Sequence, residues 1–180
     1  MEFTPTAISG AFVIGLHVQG DPRGRFSRTY CEREFAEAGL QTRWVQANHS
    51  VTLGRGSARG LHYQVPPHGE AKLISCVFGR AFDVAVDLRR SSPTFLKWAS
   101  IELDQSTSLY LPPGCAHGFQ ALEDEVHLTY LHSQFYEPDA ERGLRLDDPR
   151  LAIDWPLPLG ERSQRDRDFP LIRADFAGVD

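Results

Sequence analysis

The stretch AFDVAVDLR, Ala81 to Arg89, decides the fold. Its residues alternate without a break, so an extended chain sets Phe82, Val84, Val86 and Leu88 on one face and Asp83, Ala85 and Asp87 on the other. A period of two belongs to a strand, and the same signal recurs on both sides of it. AFVIGLHV, RWVQANHSV, RGLHYQV and KLISCVFG precede it, and KWASIEL, SLYLP, HGFQAL and VHLTYL follow. These runs are short, several are β-branched or aromatic, and Gly, Pro, Asp or Ser separates them. Closely spaced strands without helical patterns between them point to an antiparallel barrel or jelly roll rather than a parallel α/β sheet. SRTYCEREFAEAGL, Ser27 to Leu40, reads as the one convincing helix, with Tyr30, Phe35 and Leu40 near one face and Gly39 close to its end. The polar, proline-bearing tail from Pro156 onward is expected to wrap the outside of the barrel.

At 180 residues and 41% hydrophobic composition, the chain has the length of one domain with a real core, and residues 1–180 are expected to form a single unit. A net charge of −5 argues against a general nucleic-acid binder, which normally carries a basic face. The N-terminus has only a short apolar run, GAFVIGL, and no segment approaches the roughly 18 apolar residues of a membrane span. Cys31, Cys76 and Cys115 are odd in number, widely spaced and in no C-x-x-C arrangement. A soluble protein of a reducing compartment, the cytoplasm, is therefore expected, with no membrane and no nucleic acid among its partners.

The stretch ARGLHYQVPPHGEAKLISC, Ala58 to Cys76, packs His62, His68 and Lys72 into a strand-like pattern, and a metal site is the first reading of such histidines. A metal-binding cupin jelly roll takes an H-x-H pair, a Glu a few residues on, and a His from a P-x-G-x-x-H segment. PPGCAH, Pro112 to His117, supplies the second half, but the first half is HYQ, with Gln64 where the second His is needed. No metal or other cofactor is expected, and the inward positions that hold ligands in metal cupins are expected to hold acid and base groups instead.

The chain resembles the dTDP-4-dehydrorhamnose 3,5-epimerase family of cupins along nearly its whole length. The resemblance rests on GDPRGRFSRTY, VQANHS, RGLHYQ, AKLISCVFGRAFDVAVDLRRSSPTF, LYLPPGCAHGFQAL, FYEPDAERGLRLDDP, IDWP and RDRDFPLI, in that order and spacing. It implies an all-β jelly-roll barrel with a few short peripheral helices. It also implies epimerisation of a nucleotide-linked 4-keto-6-deoxyhexose at C3, C5 or both, as in deoxysugar and polysaccharide biosynthesis. That reaction needs a base to remove a proton beside the keto group, a cationic or donor group at the developing enolate oxygen, and an acid on the opposite face.

By the same resemblance His62 is the base, Asp166 orients it, Lys72 faces the enolate and Tyr130 is the acid. Arg23 and Arg59 stand at diphosphate-binding positions, Phe26 where a base would stack, and Gln46 and Asn48 where neutral hydrogen bonds are made. His117 belongs to the pocket with Asp83 as a candidate partner, and Tyr136 is a further substrate-binding position. His49 and His68 read as structural or surface residues. The chain departs from the family in two places: Arg28 stands where many members have Glu, which bears on the nucleotide base, and Leu146 where they have Trp. Family members are dimers whose N-terminal strands cross, and the uncharged AISGAFVIGLHV, Ala7 to Val18, suits such an exchange. Two other functions remain in play, a sugar-binding cupin without proton transfer and a metal-dependent cupin dioxygenase. Gln64 weighs against the dioxygenase, and the set His62, Lys72, Tyr130 and Asp166 against the binding protein.

Overall fold

The structure, a computed structural model, describes residues 1–179. Thirteen strands and two short helices follow one another as β1 (Glu2–Pro5), β2 (Phe12–Gly15), β3 (Val18–Asp21), β4 (Gly24–Ser27), α1 (Glu32–Glu37), β5 (Gln46–Leu53), β6 (Ala58–Gln64), β7 (Lys72–Phe78), β8 (Ala81–Asp87), β9 (Trp98–Leu103), β10 (Thr107–Leu111), β11 (Cys115–Ala121), β12 (Glu125–His132), β13 (Glu141–Gly143) and α2 (Gln164–Asp168). A six-stranded sheet in the order β1-β2-β10-β7-β12-β5 and a five-stranded sheet in the order β13-β6-β11-β8-β9 form the jelly roll, with β3 and β4 pairing only with each other. The all-β architecture is the one the alternation of residues 81–89 called for.

Both faces of β8 are buried, which the sequence does not disclose. Ala81 and Ala85 pack inside the barrel with Ile74, Cys115, Phe119 and Leu128. Val84, Val86 and Leu88 pack outside it, against Leu144, Leu146, Leu151 and Ile172 of the C-terminal segment, with Trp155 and Phe176 alongside. At about 25 cal/mol per Å² of apolar surface, a whole sheet face covered in this way is a major share of the folding energy. Asp83 and Asp87 are consequently buried in the interior, fully out of solvent.

One expectation is corrected. The helix is confined to Glu32–Glu37, not Ser27–Leu40: Cys31 gives α1 no side-chain cap, and Gly39, at φ +69, lies just beyond its end. Tyr30, Phe35 and Leu40 do share one apolar cluster on the outer face of the six-stranded sheet, with Leu73, Tyr110 and Trp44. Their spacing of five residues is met by loop and helix together. In the N-terminal stretch, Phe12–Gly15 pairs on one side with β1 and on the other with β10.

Gly60 and Gly118 bring the two strands of the site together. A Cβ on Gly60, whose φ is +123, would stand 2.5 Å from the Gly118 Cα, so only two glycines allow this approach. The β6–β11 register shifts between His117 and Phe119, leaving His117 directly opposite His62.

Candidate functional site

One end of the barrel opens into a cavity of about 800 Å³, lined among others by Gln46, Asn48, Arg59, His62, Lys72, His117, Tyr130, Tyr136 and Asp166. Nine of the expected site residues thus converge there from β5, β6, β7, β11, β12 and α2 and, for Tyr136, from the loop after β12. The volume is in the range that drug-sized ligands and cofactors occupy.

His62 lies on β6 and is backed by Asp166, whose Oδ1 is 2.7 Å from His62 Nε2. Asp166 is delivered by α2: Ser163 caps that helix by accepting from the Asp166 backbone N–H, and the Gly60 N–H reaches Asp166 Oδ2. Burial raises the Asp166 carboxyl, but the hydrogen bond and charge of His62, with the two added hydrogen bonds, outweigh it and hold the group below its ordinary value. An ionised carboxylate only accepts, so Nε2 carries the proton and Nδ1, turned away from Asp166, keeps a basic lone pair. The edge of Phe169 packs on the ring at 5.8 Å between centroids.

Tyr130 enters from β12, on the other sheet. Desolvation raises its phenol above the ordinary value, with the Ser50 hydroxyl, 3.4 Å away, acting in the opposite sense. The hydroxyl therefore stays protonated at neutral pH. His117 bonds through Nε2 to both carboxylate oxygens of Asp83, at 2.8 and 2.9 Å, and its ring meets Tyr130 at 5.9 Å. Burial raises the Asp83 carboxyl and His117 and Lys72 oppose that. Arg59 is fixed at the rim by Thr52 Oγ1 and the Val51 carbonyl. The Tyr136 hydroxyl donates a hydrogen bond to Glu141, which also pairs with Arg165.

Gln64 is not poised toward a ligand. Its amide nitrogen donates to the His68 and Phe135 carbonyls and its oxygen accepts from the Glu137 N–H, tying the 65–70 turn to the 135–137 segment. Arg23, Phe26 and Arg28 are not in the cavity. Arg23 and Phe26 sit on the β3–β4 hairpin with the Arg23 side chain 89% exposed and Phe26 73% exposed, and Arg28 pairs with Glu34 of α1. Leu146 is buried within the C-terminal segment, where Trp155 donates to its carbonyl.

Sequence reasoning missed Glu70 and His132. Glu70 lines the cavity between Lys72 and His132. The signal for His132 was its place two residues after Tyr130, which on a strand means the same inward face. His49, expected to be structural or a surface residue, is exposed, lies at the cavity rim and packs on His127.

A sequence profile described as dTDP-4-dehydrorhamnose 3,5-epimerase matches residues 5–174. The chain is 44% identical over 175 residues to a dTDP-4-dehydrorhamnose 3-epimerase of Streptomyces niveus, covering 96% of this chain and 84% of that protein. Among solved structures it is similar to a 4-keto-6-deoxy sugar epimerase from the novobiocin biosynthetic gene cluster of Streptomyces spheroides, with a TM-score of 0.91, 44% identity and coverage of 95% of this chain and 87% of that one. It is also similar to the dTDP-6-deoxy-D-glucose-3,5-epimerase of Legionella pneumophila in complex with dTDP-4-keto-L-rhamnose, with a TM-score of 0.89, 35% identity and coverage of 99% and 97%. A jelly roll with titratable side chains entering one cavity from both sheets, and relatives of this kind, define a nucleotide-sugar epimerase. The chain belongs to the dTDP-4-dehydrorhamnose 3,5-epimerase family. No helix among the described residues is long and apolar enough to cross a membrane.

Proposed function

We propose that this cavity binds a dTDP-linked 4-keto-6-deoxyhexose and inverts a carbon beside the keto group by removing a proton on one face and returning one on the other. The observation that carries the reading is the carboxylate-backed His62 on one sheet with the protonated Tyr130 entering the same cavity from the other. His62 Nδ1 takes the α-proton, and the electron pair passes into the enolate, whose oxygen Lys72 meets. The Tyr130 hydroxyl then protonates the carbon from the opposite side, leaving a phenolate and an imidazolium that solvent resets. Each such transfer group contributes about 10² to 10⁴ in rate. His117, Asn48, Gln46 and Tyr136 hold the sugar and its neighbourhood, and Arg59 meets the diphosphate with the bidentate geometry of a guanidinium.

The exposed Arg23, Phe26 and Arg28 acquire a function in a homodimer, where the β3–β4 hairpin, paired with neither sheet of its own chain, reaches the neighbouring cavity. Phe26 would stack on the nucleotide base there, and Arg28 would bear on which base is accepted. The three unpaired cysteines fit a cytoplasmic enzyme. No cofactor enters the scheme, since the His62 and His117 rings are held by carboxylates and the Gln64 amide by backbone. Activity is expected to persist after exhaustive chelation.

The direct test is incubation with dTDP-4-keto-6-deoxyglucose in D₂O, with NMR locating the label. Deuterium at C3, at C5 or at both distinguishes the three kinds of epimerase, and absence of label from both carbons overturns the proposal.

A further inference from the structure

The mechanism leaves two buried titratable groups of the cavity without a task, Glu70 and His132. The Glu70 carboxylate is 9% exposed and divides its oxygens, Oε1 standing 3.2 Å from Lys72 Nζ and Oε2 2.8 Å from His132 Nδ1. On its far side His132 Nε2 lies 3.3 Å from the Asn48 Nδ2, while the Asn48 Oδ1 accepts from Gln46. An amide nitrogen only donates, so Nε2 must accept, and the single ring proton is directed at Glu70. Lys72 Nζ also donates to the His62 carbonyl, 3.2 Å away. Two of its three N–H groups are thereby committed, and one remains for an oxygen in the cavity.

We propose that the Glu70–His132 pair is the positioning device of Lys72, holding its ammonium charged and aimed at the enolate oxygen. Lys72 is faced by Asp83 from β8, Cys115 from β11, His62 from β6 and His132 from β12, besides Glu70. Asp83 is already bound twice by His117. Glu70 is therefore the counter-ion of Lys72, and a buried ammonium that loses its counter-ion gives up its proton more readily. Burial alone would raise the Glu70 carboxyl, but the His132 hydrogen bond and the Lys72 charge outweigh it and keep the group below its ordinary value, hence ionised. His132 also stacks on Tyr130, with ring centroids 6.0 Å apart, so it braces both sides of the reacting centre.

This inference rests on Lys72 acting at the enolate, and the experiment separates the two. Glu70→Gln should lower kcat about tenfold or more, the scale of a misdirected charge-stabilising donor, while dTDP affinity stays within about twofold. The high-pH limb of its kcat profile should move to lower pH. His132→Phe, which keeps the carboxylate but frees it, should lower kcat by a smaller factor in the same direction. In a double-mutant cycle, Glu70→Gln added to Lys72→Ala should cost nothing further. Full kcat and an unmoved basic limb in Glu70→Gln, or additive losses in the cycle, overturn the inference. Should Glu70→Gln fail to fold, Glu70→Asp, which keeps the charge but falls short of Lys72, must still lower kcat, and a wild-type rate there overturns it equally. If Lys72→Ala itself retains activity, the role of Lys72 falls; if Lys72→Ala is inactive and Glu70→Gln is normal, only the present inference falls.

Discussion

Asp83 and Asp87 lie on the same strand, point to the same interior and are equally excluded from solvent, yet they are opposite in character. Asp87 is met by the backbone N–H and guanidinium of Arg89 and by the hydroxyls of Ser92 and Thr94. Burial would raise it, but these donors prevail and lower it to about 2. Asp83 is met by one imidazole, His117, and burial prevails, raising its carboxyl. Burial thus does not decide a carboxylate's behaviour; the number and permanence of its donors do. A corner crowded with fixed donors makes a permanent anion suited to holding loops. A corner with a single titratable hydrogen-bond partner leaves a proton whose place can change.

The contrast can be tested by substitutions whose expected effects fall in order. His62→Asn should abolish both inversion and solvent exchange, a loss of up to about 10⁴, or roughly 5.5 kcal/mol in barrier, with folding unchanged. Deuterium uptake by recovered substrate at a wild-type rate would remove His62 as the base. Asp87→Ala should do the reverse, destabilising by about 3 kcal/mol through unpaired buried donors while the folded protein turns over normally, as urea denaturation alongside kcat would reveal. A large rate loss there would erase the distinction between the two corners.

Tyr130→Phe should cut inverted product by about 10² while deuterium still enters the recovered substrate, since His62 continues to remove and replace the proton on the original face. Full inversion by this variant would assign the acid to another group. The smallest effects concern acid stability. Asp87, depressed in the folded state, contributes stability that is present above the ordinary carboxylate pKa near 3.9 and is lost as pH falls toward about 2. Asp87→Asn should therefore flatten the acid limb of a urea-midpoint profile by about 2 kcal/mol. Asp83, raised in the folded state, has the opposite sign: its contribution is present below the ordinary carboxylate pKa and is lost as pH rises through the folded value. Asp83→Asn should steepen the acid limb, and two variants shifting it in the same direction would contradict the contrast.

The strands were legible because alternation is local: residues 82–88 announce a strand whatever surrounds them. That both faces of β8 are covered was not, because the cover arrives from residues 144–179. The helix was overread since Tyr30, Phe35 and Leu40 do meet in space, though a loop brings two of them there. The convergence of His62 with Asp166 was visible only through family resemblance, the two being 104 residues apart. Glu70 and His132, separated by 62 residues, had no such guide, and nothing in either local sequence announces the other. Arg23, Phe26 and Arg28 show the converse, motif positions that a single chain does not bring to its own cavity.

The delivery of Asp166 by the C-terminal segment has a consequence in time. Chains are made from the N-terminus onward, so the whole barrel from β1 to β13 leaves the ribosome before α2 does. Under the proposed mechanism a nascent chain holds its base without the carboxylate that steers it, and its outer sheet face lacks the part of its cover that Ile172, Phe176 and Val179 supply. A protease cutting ahead of Ser163 would return a finished molecule to that condition. Competence is thereby coupled to the emergence of α2, and a copy clipped ahead of it lacks the carboxylate that steers its base.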